Sequence, residues 1–181
     1  MTSIRRGFRG GDLQQSLAMR AAIVCQLVLL AYHQVTTLVD FFPFNGSRYY
    51  TRQEKLVEAG SNALLMSLGP IAFIFHLRGL MTFAVIYYFV LFAVEIVIWW
   101  IPYFTIPRRP WRQVYNRALA LSTSDLEKGD TLDHWRAVYD RLHARTTTFL
   151  PRRSGRIVPN LEHFILHGWT LMTAIVTAIA Y

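Results

Sequence analysis

The sequence predicts an all-α integral membrane protein, a bundle of four transmembrane helices with a long amphipathic and basic loop between the third and the fourth. Four long apolar runs occupy a chain of 181 residues, of which 53% are hydrophobic. Each run approaches or exceeds the ~17–25 residues that cross a hydrocarbon core of ~30 Å. The formal net charge is +8, and the basic residues all lie outside those runs.

The predicted spans, in chain order, are residues 21–42, 61–77, 80–104 and 161–181. The first is too long for a cleavable signal peptide, and no small-residue cleavage site follows it. The third contains one charged residue in 25, which favours a membrane helix over the core of a soluble bundle. We expect a single membrane domain over residues 1–181, with an interfacial segment at 105–159.

The four crossings divide the remaining residues between two faces of the membrane. Both termini and the 78–79 turn share side A, whereas the loop at 42–60 and the 105–159 segment share side B. Side B holds fourteen of the 19 basic residues and side A holds five. The positive-inside bias therefore predicts that side B, with the long basic loop, is cytoplasmic. The arginines of the N-terminal tail favour the opposite orientation.

The long segment contains a predicted amphipathic helix. In "DHWRAVYDRLHART" the residues Trp135, Val138, Tyr139 and Leu142 recur at three- and four-residue steps. The basic stretches "PRRPWR" and "PRRSGR" flank the neighbouring spans. We expect the apolar face of this helix to lie on the lipid, with membrane lipids rather than nucleic acid as the partner of the arginines.

Polar side chains in all four predicted helices fall in the half of the bilayer nearer side B. They are His33 and Asp40 on the first helix, Glu58 and Asn62 on the second, Glu95 on the third, and His163 and His167 on the fourth. A charged group at the bilayer centre costs ~2.5–3.5 kcal/mol on insertion scales. We therefore expect these groups to satisfy one another around a common site.

A metal centre is one interpretation of this convergence. The predicted metal ligands are His33, His163 and His167 with Glu95 and Asp40, and the predicted catalytic carboxylates are Glu95, Glu58 and Asp40. Such donors suit zinc or non-haem iron. The single cysteine, Cys25, excludes an internal disulfide and a cysteine-rich site. Non-covalent haem between facing histidines, a proton or ion relay, a direct substrate site and purely structural hydrogen bonds are the alternatives.

The loop "FFPFNGSRYYTRQEKLVEAGSN" is a second candidate site. Its Arg48, Tyr49 and Arg52, with Asn62 beyond it, are predicted to bind a substrate head group, because arginines beside aromatic rings suit phosphate or carboxylate groups. The same residues also suit a plain interfacial anchor. Asn45-Gly46-Ser47 within this loop matches the N-glycosylation acceptor pattern.

Two classes of function follow from these observations. The first is a metal-dependent membrane enzyme with a one-sided His/carboxylate site, acting on a lipid-like or hydrophobic small molecule. The second is a non-enzymatic carrier, relay or structural subunit, with a b-type haem protein as a further alternative and a homo-oligomer as a possible assembly. The side A halves of the first, third and fourth helices are nearly bare of polar groups, which favours a one-sided site over a conduction path.

Overall fold

A computed structural model describes residues 8–105 and 131–181. Six α-helices lie within this part of the chain: α1 Phe8–Leu38, α2 Arg52–Ile74, α3 Arg78–Glu95, α4 Ile101–Phe104, α5 Thr131–Leu142 and α6 Leu161–Ala180. A π-helix at Ile96–Trp100 joins α3 to α4 without a break, and a 3₁₀ turn occupies Ser47–Tyr49. The stretch "PRRPWR" lies outside the described residues.

Four helical spans are long and apolar enough to cross a membrane: 13–38 in α1, the whole of α2, the continuous rod from α3 to α4, and α6. These lengths suggest a multi-pass membrane protein. The first span packs against α2 and α6, and α3 packs against both of the same helices. Large apolar side chains remain exposed along the outside of all four, as expected where a helix faces lipid rather than water.

The first helix ends at Leu38, four residues before the predicted boundary. The side chain of Asn45 ends it: Nδ2 donates to the carbonyl oxygens of Thr36 and Val39, both at 2.8 Å, and Oδ1 accepts from Phe41 N at 2.9 Å. These bonds satisfy terminal carbonyls that have no partner within the helix. Asn45 is fully buried, so the glycosylation pattern falls on a structural amide.

The second helix begins at Arg52, nine residues before the predicted span. Its start is a capping box, in which Thr51 Oγ1 accepts from Glu54 N at 3.2 Å and Glu54 Oε2 accepts from Thr51 N at 2.7 Å. This motif satisfies two unpaired donors at the helix N-terminus. The apolar run that predicted the span therefore covers only the later part of a longer helix.

Pro70 lies inside α2 and does not end it. A proline has no N–H, so the carbonyl oxygen of Met66, four residues earlier, loses its intrahelical donor. The hydroxyl of Tyr88 on α3 donates to that oxygen at 3.3 Å, and Tyr88 is fully buried. The missing hydrogen bond within α2 is thus replaced by one that ties α2 to α3.

The predicted amphipathic helix is confirmed as α5, but its apolar face packs on the protein and not on lipid. Trp135, Tyr139 and Leu142 are buried. Trp135 and Tyr139 form a cluster with Trp99 of the π-helix and with Val158, just before α6. Through this cluster α5 lies across the side B end of the bundle.

Polar contacts fix α5 and the residues after it to the same end. Arg141 makes a two-pronged ion pair with the capping glutamate Glu54, at 2.5 and 3.3 Å. Further along, Thr147 N donates to Pro43 O at 2.7 Å and Leu161 N donates to Thr147 O at 2.8 Å. The segment that follows α5 is therefore held between the loop after α1 and the start of α6.

Gly46 is the closest point between that loop and α5. A Cβ atom added to Gly46 would overlap the backbone carbonyl of Leu142. We expect Gly46→Ala to lower the free energy of unfolding by about 1–3 kcal/mol, as overpacked substitutions do, measured by unfolding in mixed micelles. Gly60→Ala is the matched control, since nothing lies within 4 Å of its added Cβ and alanine favours a helix. Equal stability of the two variants would contradict the close approach.

Candidate functional site

A small cavity lies at the side B end, between α1, α2, α6 and the residues that follow α5. Its volume is about 30 Å³, enough by this measure for roughly two water molecules or an ion. Six titratable side chains line it: His33, Tyr50, Glu58, His143, Glu162 and His163. Three imidazoles and two carboxyl groups thus line one cavity together with a phenol.

His163 is the most firmly oriented of these groups, because Asn160 holds one of its ring nitrogens. Asn160 is the N-cap of α6, where its Oδ1 accepts from His163 N at 2.9 Å. The same Oδ1 lies 2.6 Å from His163 Nδ1. A backbone N–H only donates, so the accepting atom of Asn160 is its oxygen, and Nδ1 must carry a proton. In the neutral ring, Nε2 then presents a free lone pair.

The indole of Trp99 fixes the plane of the same imidazole. The ring centroids of Trp99 and His163 are 3.9 Å apart, with the planes inclined by 36°. Two more imidazoles surround His163: the centroid of His143 lies 5.0 Å away and that of His167 lies 5.8 Å away. His163 therefore occupies the centre of a cluster of three histidines.

His143 reaches the cavity from the residues just after α5. Its Nε2 lies 3.2 Å from the hydroxyl of Tyr50, and its ring is buried against Trp99. Neither His143 nor Tyr50 belongs to the predicted site. The sequence places His143 in a segment assigned to the interface, so only the docking of α5 could reveal it. Burial raises the pKa of Tyr50 well above its ordinary value, which keeps the phenol protonated.

The buried state of His143 predicts a pH-dependent stability. Burial, aided by the neighbouring Arg141 charge, lowers the pKa of His143 from 6.5 to about 3. Between these values the unfolded chain binds a proton that the folded chain does not, so stability falls as the pH decreases through that window. When the pH is lowered from 7 to 5, we expect the free energy of unfolding to fall by about 2 kcal/mol less in His143→Gln than in the wild type. The size follows from the value of one pKa unit, about 1.36 kcal/mol. Unfolding at both pH values measures this difference, and parallel losses would contradict it.

Carboxyl groups stand beside two of the histidines. Glu58 Oε1 on α2 lies 3.9 Å from His33 Nε2 on α1, and Glu162 Oε2 lies 3.9 Å from His163 Nδ1. Both separations are at the outer limit of an ion pair, and neither is a direct hydrogen bond. Glu162, which the sequence interpretation assigned to another face and to the helix dipole, is buried and lines the cavity.

Two predicted residues lie together outside the lining of the cavity. Glu95 Oε1 accepts from the hydroxyl of Thr170 at 3.0 Å, and Trp100 Nε1 donates to His167 Nδ1 at 3.0 Å. Both Glu95 and His167 are buried. A hydrogen bond from His33 to Glu95, one of the structural alternatives, is not among the described contacts, because His33 faces Glu58 instead.

The remaining predicted residues do not reach the cavity. Asp40 accepts from Arg48 at 3.0 Å in an exposed ion pair, and this bond, more than any other contact, lowers the pKa of the aspartate. Tyr49 packs edge-on against Phe42. Two further residues predicted to bind a head group are Arg52, which is exposed at the start of α2, and Asn62, whose amide donates to Glu58 O at 2.9 Å.

Polar side chains also occur in the side A half, which the sequence interpretation described as nearly bare. Gln26 Nε2 on α1 donates to Thr177 Oγ1 on α6 at 3.0 Å, and both residues are fully buried. Amide and hydroxyl groups of this kind join helices to one another. None of these groups changes charge near neutral pH, so the titratable cluster remains confined to the side B half of the described spans.

Within the part of the chain that the structure describes, no group of three or more histidine, cysteine, aspartate or glutamate side chains has the arrangement of a metal site. The described geometry offers a base, His163 Nε2, with carboxyl groups nearby. No protein-family model, no curated protein and no solved structure matches this chain. The site is accordingly interpreted from its own chemistry.

Proposed function

We propose that this protein is a multi-pass membrane enzyme whose side B cavity is a one-sided acid–base site for the polar head of a lipid-like substrate. The observation that carries this proposal is the orientation of His163. Asn160 Oδ1 accepts a hydrogen bond from His163 Nδ1–H, with 2.6 Å between the two heavy atoms, and the indole of Trp99 packs against the ring at an inclination of 36°. An imidazole held in one tautomer by a second group is the arrangement of a general base.

The neighbouring carboxyl groups complete the proposed chemistry. His163 Nε2 takes a proton from a substrate hydroxyl or from an attacking water. Glu162, 3.9 Å from the opposite ring nitrogen, stabilises the imidazolium that forms. Glu58, beside His33 at 3.9 Å, is the second proton donor or acceptor. The phenol of Tyr50 supplies a hydrogen bond to a developing negative charge.

The size and position of the cavity support a lipid-like substrate. A cavity of about 30 Å³ lined by titratable side chains suits one small polar group. The proposal does not include haem. The cavity lies at one end of four long apolar helices, where the polar end of an amphiphile meets the hydrocarbon. The rest of such a substrate would remain in the bilayer.

A zinc- or iron-dependent form of the same enzyme is a second candidate, favoured by one observation. Histidines that bind metals donate their other ring N–H to an oxygen acceptor, as His163 does to Asn160. His143 and His167 lie close enough, at ring-centroid distances of 5.0 and 5.8 Å from His163, to be drawn in as further ligands. Metal binding would require these side chains to converge further than they do in the described arrangement.

Lipid analysis tests the proposal. The purified protein in nanodiscs of host-cell lipid is incubated, and the lipids are compared by mass spectrometry for the wild type and His163→Gln. We expect conversion of one lipid class by the wild type and at least a hundredfold slower conversion by the variant. If the wild-type protein leaves the lipid profile unchanged, the proposed enzyme activity is wrong. Elemental analysis and a chelator distinguish the two candidates, since only the metal form loses activity with its metal.

The orientation of the protein is part of the proposal, with side B in the cytoplasm. On a Cys25→Ser background, Ser154→Cys places a thiol at an exposed position after α5. We expect a membrane-impermeant maleimide to label it only after the cells are opened. Gly79→Cys, at an exposed position in the first turn of α3, is the matched control, and we expect it to be labelled from outside. The reverse pattern would show that side B faces outward.

A further inference from the structure

The strongest feature outside the cavity is the contact between the α3 rod and α6, where two hydrogen bonds join the helices in antiparallel register. Glu95 pairs with Thr170, and Trp100 pairs with His167, each at 3.0 Å. Glu95 is 8% exposed and His167 is 2% exposed. One polar atom of each remains buried with no hydrogen-bond partner in the described part of the chain: Glu95 Oε2 and His167 Nε2.

The donor and acceptor roles of these two atoms follow from their neighbours. An indole N–H only donates, so His167 Nδ1 accepts from Trp100 and carries no proton. In the neutral ring the proton therefore lies on Nε2, which makes this atom a donor. Glu95 Oε1 accepts from Thr170, and Glu95 Oε2 is likewise an acceptor when the carboxyl group is ionised. A buried donor and a buried acceptor thus lack partners at the same helix contact.

The π-helix brings these two side chains to the same contact. In a regular α-helix, at ~100° per residue, residues five apart are separated by roughly 140° around the axis. In the π-helix the bonds run from residue i+5 to residue i, and Ile101 N donates to Ile96 O. Glu95 and Trp100, five residues apart, can therefore both face α6. π-Helical turns of this kind are frequent at functional sites.

We propose that Glu95 and His167 form a second, deeper binding site for one hydroxyl group. A hydroxyl accepts from His167 Nε2–H and donates to Glu95 Oε2, so it satisfies both atoms at once. A carbonyl group only accepts, so it would satisfy His167 Nε2–H and not Glu95. An ammonium group only donates, so it would satisfy Glu95 Oε2 and not His167. The hydroxyl comes from water or from a membrane-soluble alcohol. This proposal depends on the α3–α6 contact alone and is independent of the enzyme activity proposed for the cavity.

Nuclear magnetic resonance on the full chain tests this site. Protein with ¹⁵N-labelled histidine is placed in nanodiscs, and the His167 signal is assigned from its loss in His167→Asn. We expect an Nε2–H resonance with an unprotonated Nδ1. We also expect a cross-peak from that proton either to water or, in a second sample, to the labelled hydroxyl-bearing carbon of added dodecanol. The two samples distinguish the two sources of the hydroxyl.

Variants separate this site from a general loosening of the bundle. Glu95→Leu removes the acceptor, and we expect the cross-peak to fall at least tenfold. Thr173→Val, one turn further along α6 with only a weak 3.5 Å contact to Cys25 O, should leave the cross-peak unchanged. A wild-type His167 protonated on Nδ1, or an Nε2–H with no cross-peak to water or to alcohol, would overturn the proposal.

Discussion

Replacing Trp99 with alanine is expected to lower the free energy of unfolding by about 3–5 kcal/mol, the usual cost of truncating a buried tryptophan. Trp99 lies at the centre of the side B end. Its ring centroid is 5.3 Å from that of Trp135, 5.0 Å from that of His143 and 3.9 Å from that of His163. The same substitution removes both the surface on which α5 packs and the ring that orients the proposed base.

Two measurements test the Trp99 prediction. Unfolding in mixed micelles gives the loss of stability, and limited trypsin digestion reports whether α5 has left the bundle, because an undocked α5 can unfold and become cleavable at Arg136 and Arg141. Trp99→Phe keeps an aromatic ring and should lose less than half as much stability. Trp100→Phe changes a ring whose contacts are with Phe104, Phe164 and His167 rather than with α5, and it should leave α5 protected. Rapid cleavage of Trp100→Phe with no cleavage of Trp99→Ala would show that α5 packs on Trp100 and not on Trp99.

Asn160→Ala is expected to cost about 2–4 kcal/mol and to release the His163 ring. Loss of an N-cap costs about 1 kcal/mol, and a buried group left unsatisfied costs about 1–3 kcal/mol more. Here the group left without its acceptor is His163 Nδ1–H, whereas the hydroxyl of Thr146 loses the 3.1 Å bond from Asn160 Nδ2 but keeps its own bond to His143 O. Unfolding measurements give the cost, and the ¹⁵N spectrum of His163 reports its tautomer.

Two further substitutions at Asn160 separate capping from orientation. Serine caps a helix well but is one atom too short to hold His163 Nδ1 in the same way. Asn160→Ser should therefore recover about 1 kcal/mol of stability without restoring the tautomer. Asn160→Asp keeps both acceptor functions and should restore the tautomer. If the alanine variant keeps Nδ1 protonated in full, then Asn160 does not select the tautomer.

Some of the site could be predicted from depth alone. Placing each helix by its apolar run put His33, Glu58 and His163 in one half of the bilayer, and all three line the cavity. Depth could not tell which side chains face one another, however. Asp40 lies at a suitable depth, but α1 ends before it and Arg48 pairs with it in the open. The position at which a helix ends was set here by a buried asparagine seven residues further along the chain.

The contributions of α5 and of the π-helix could not be predicted in this way. An amphipathic pattern shows that one face of a helix is apolar, but it does not distinguish a lipid surface from a protein surface. His143 was missed for that reason. No residue in "IVIWW" signals a π-helix. A prediction that assumes a regular 3.6-residue period therefore places Trp100 on the wrong face of the helix and misses its hydrogen bond to His167.

The π-helix also accommodates one extra residue in the rod. Its bonds run from residue i+5 to residue i, so the segment Ile96–Trp100 holds one residue more than a regular helix needs to span the same turn. If one residue between Glu95 and Trp100 were removed and the rod closed into a regular helix, those two residues would be four apart and separated by ~40° around the axis. Both would still meet α6. In this part of the protein the identity of Glu95 and Trp100 is therefore expected to tolerate less change than the number of residues between them, so relatives that lack one of the intervening residues should keep both side chains.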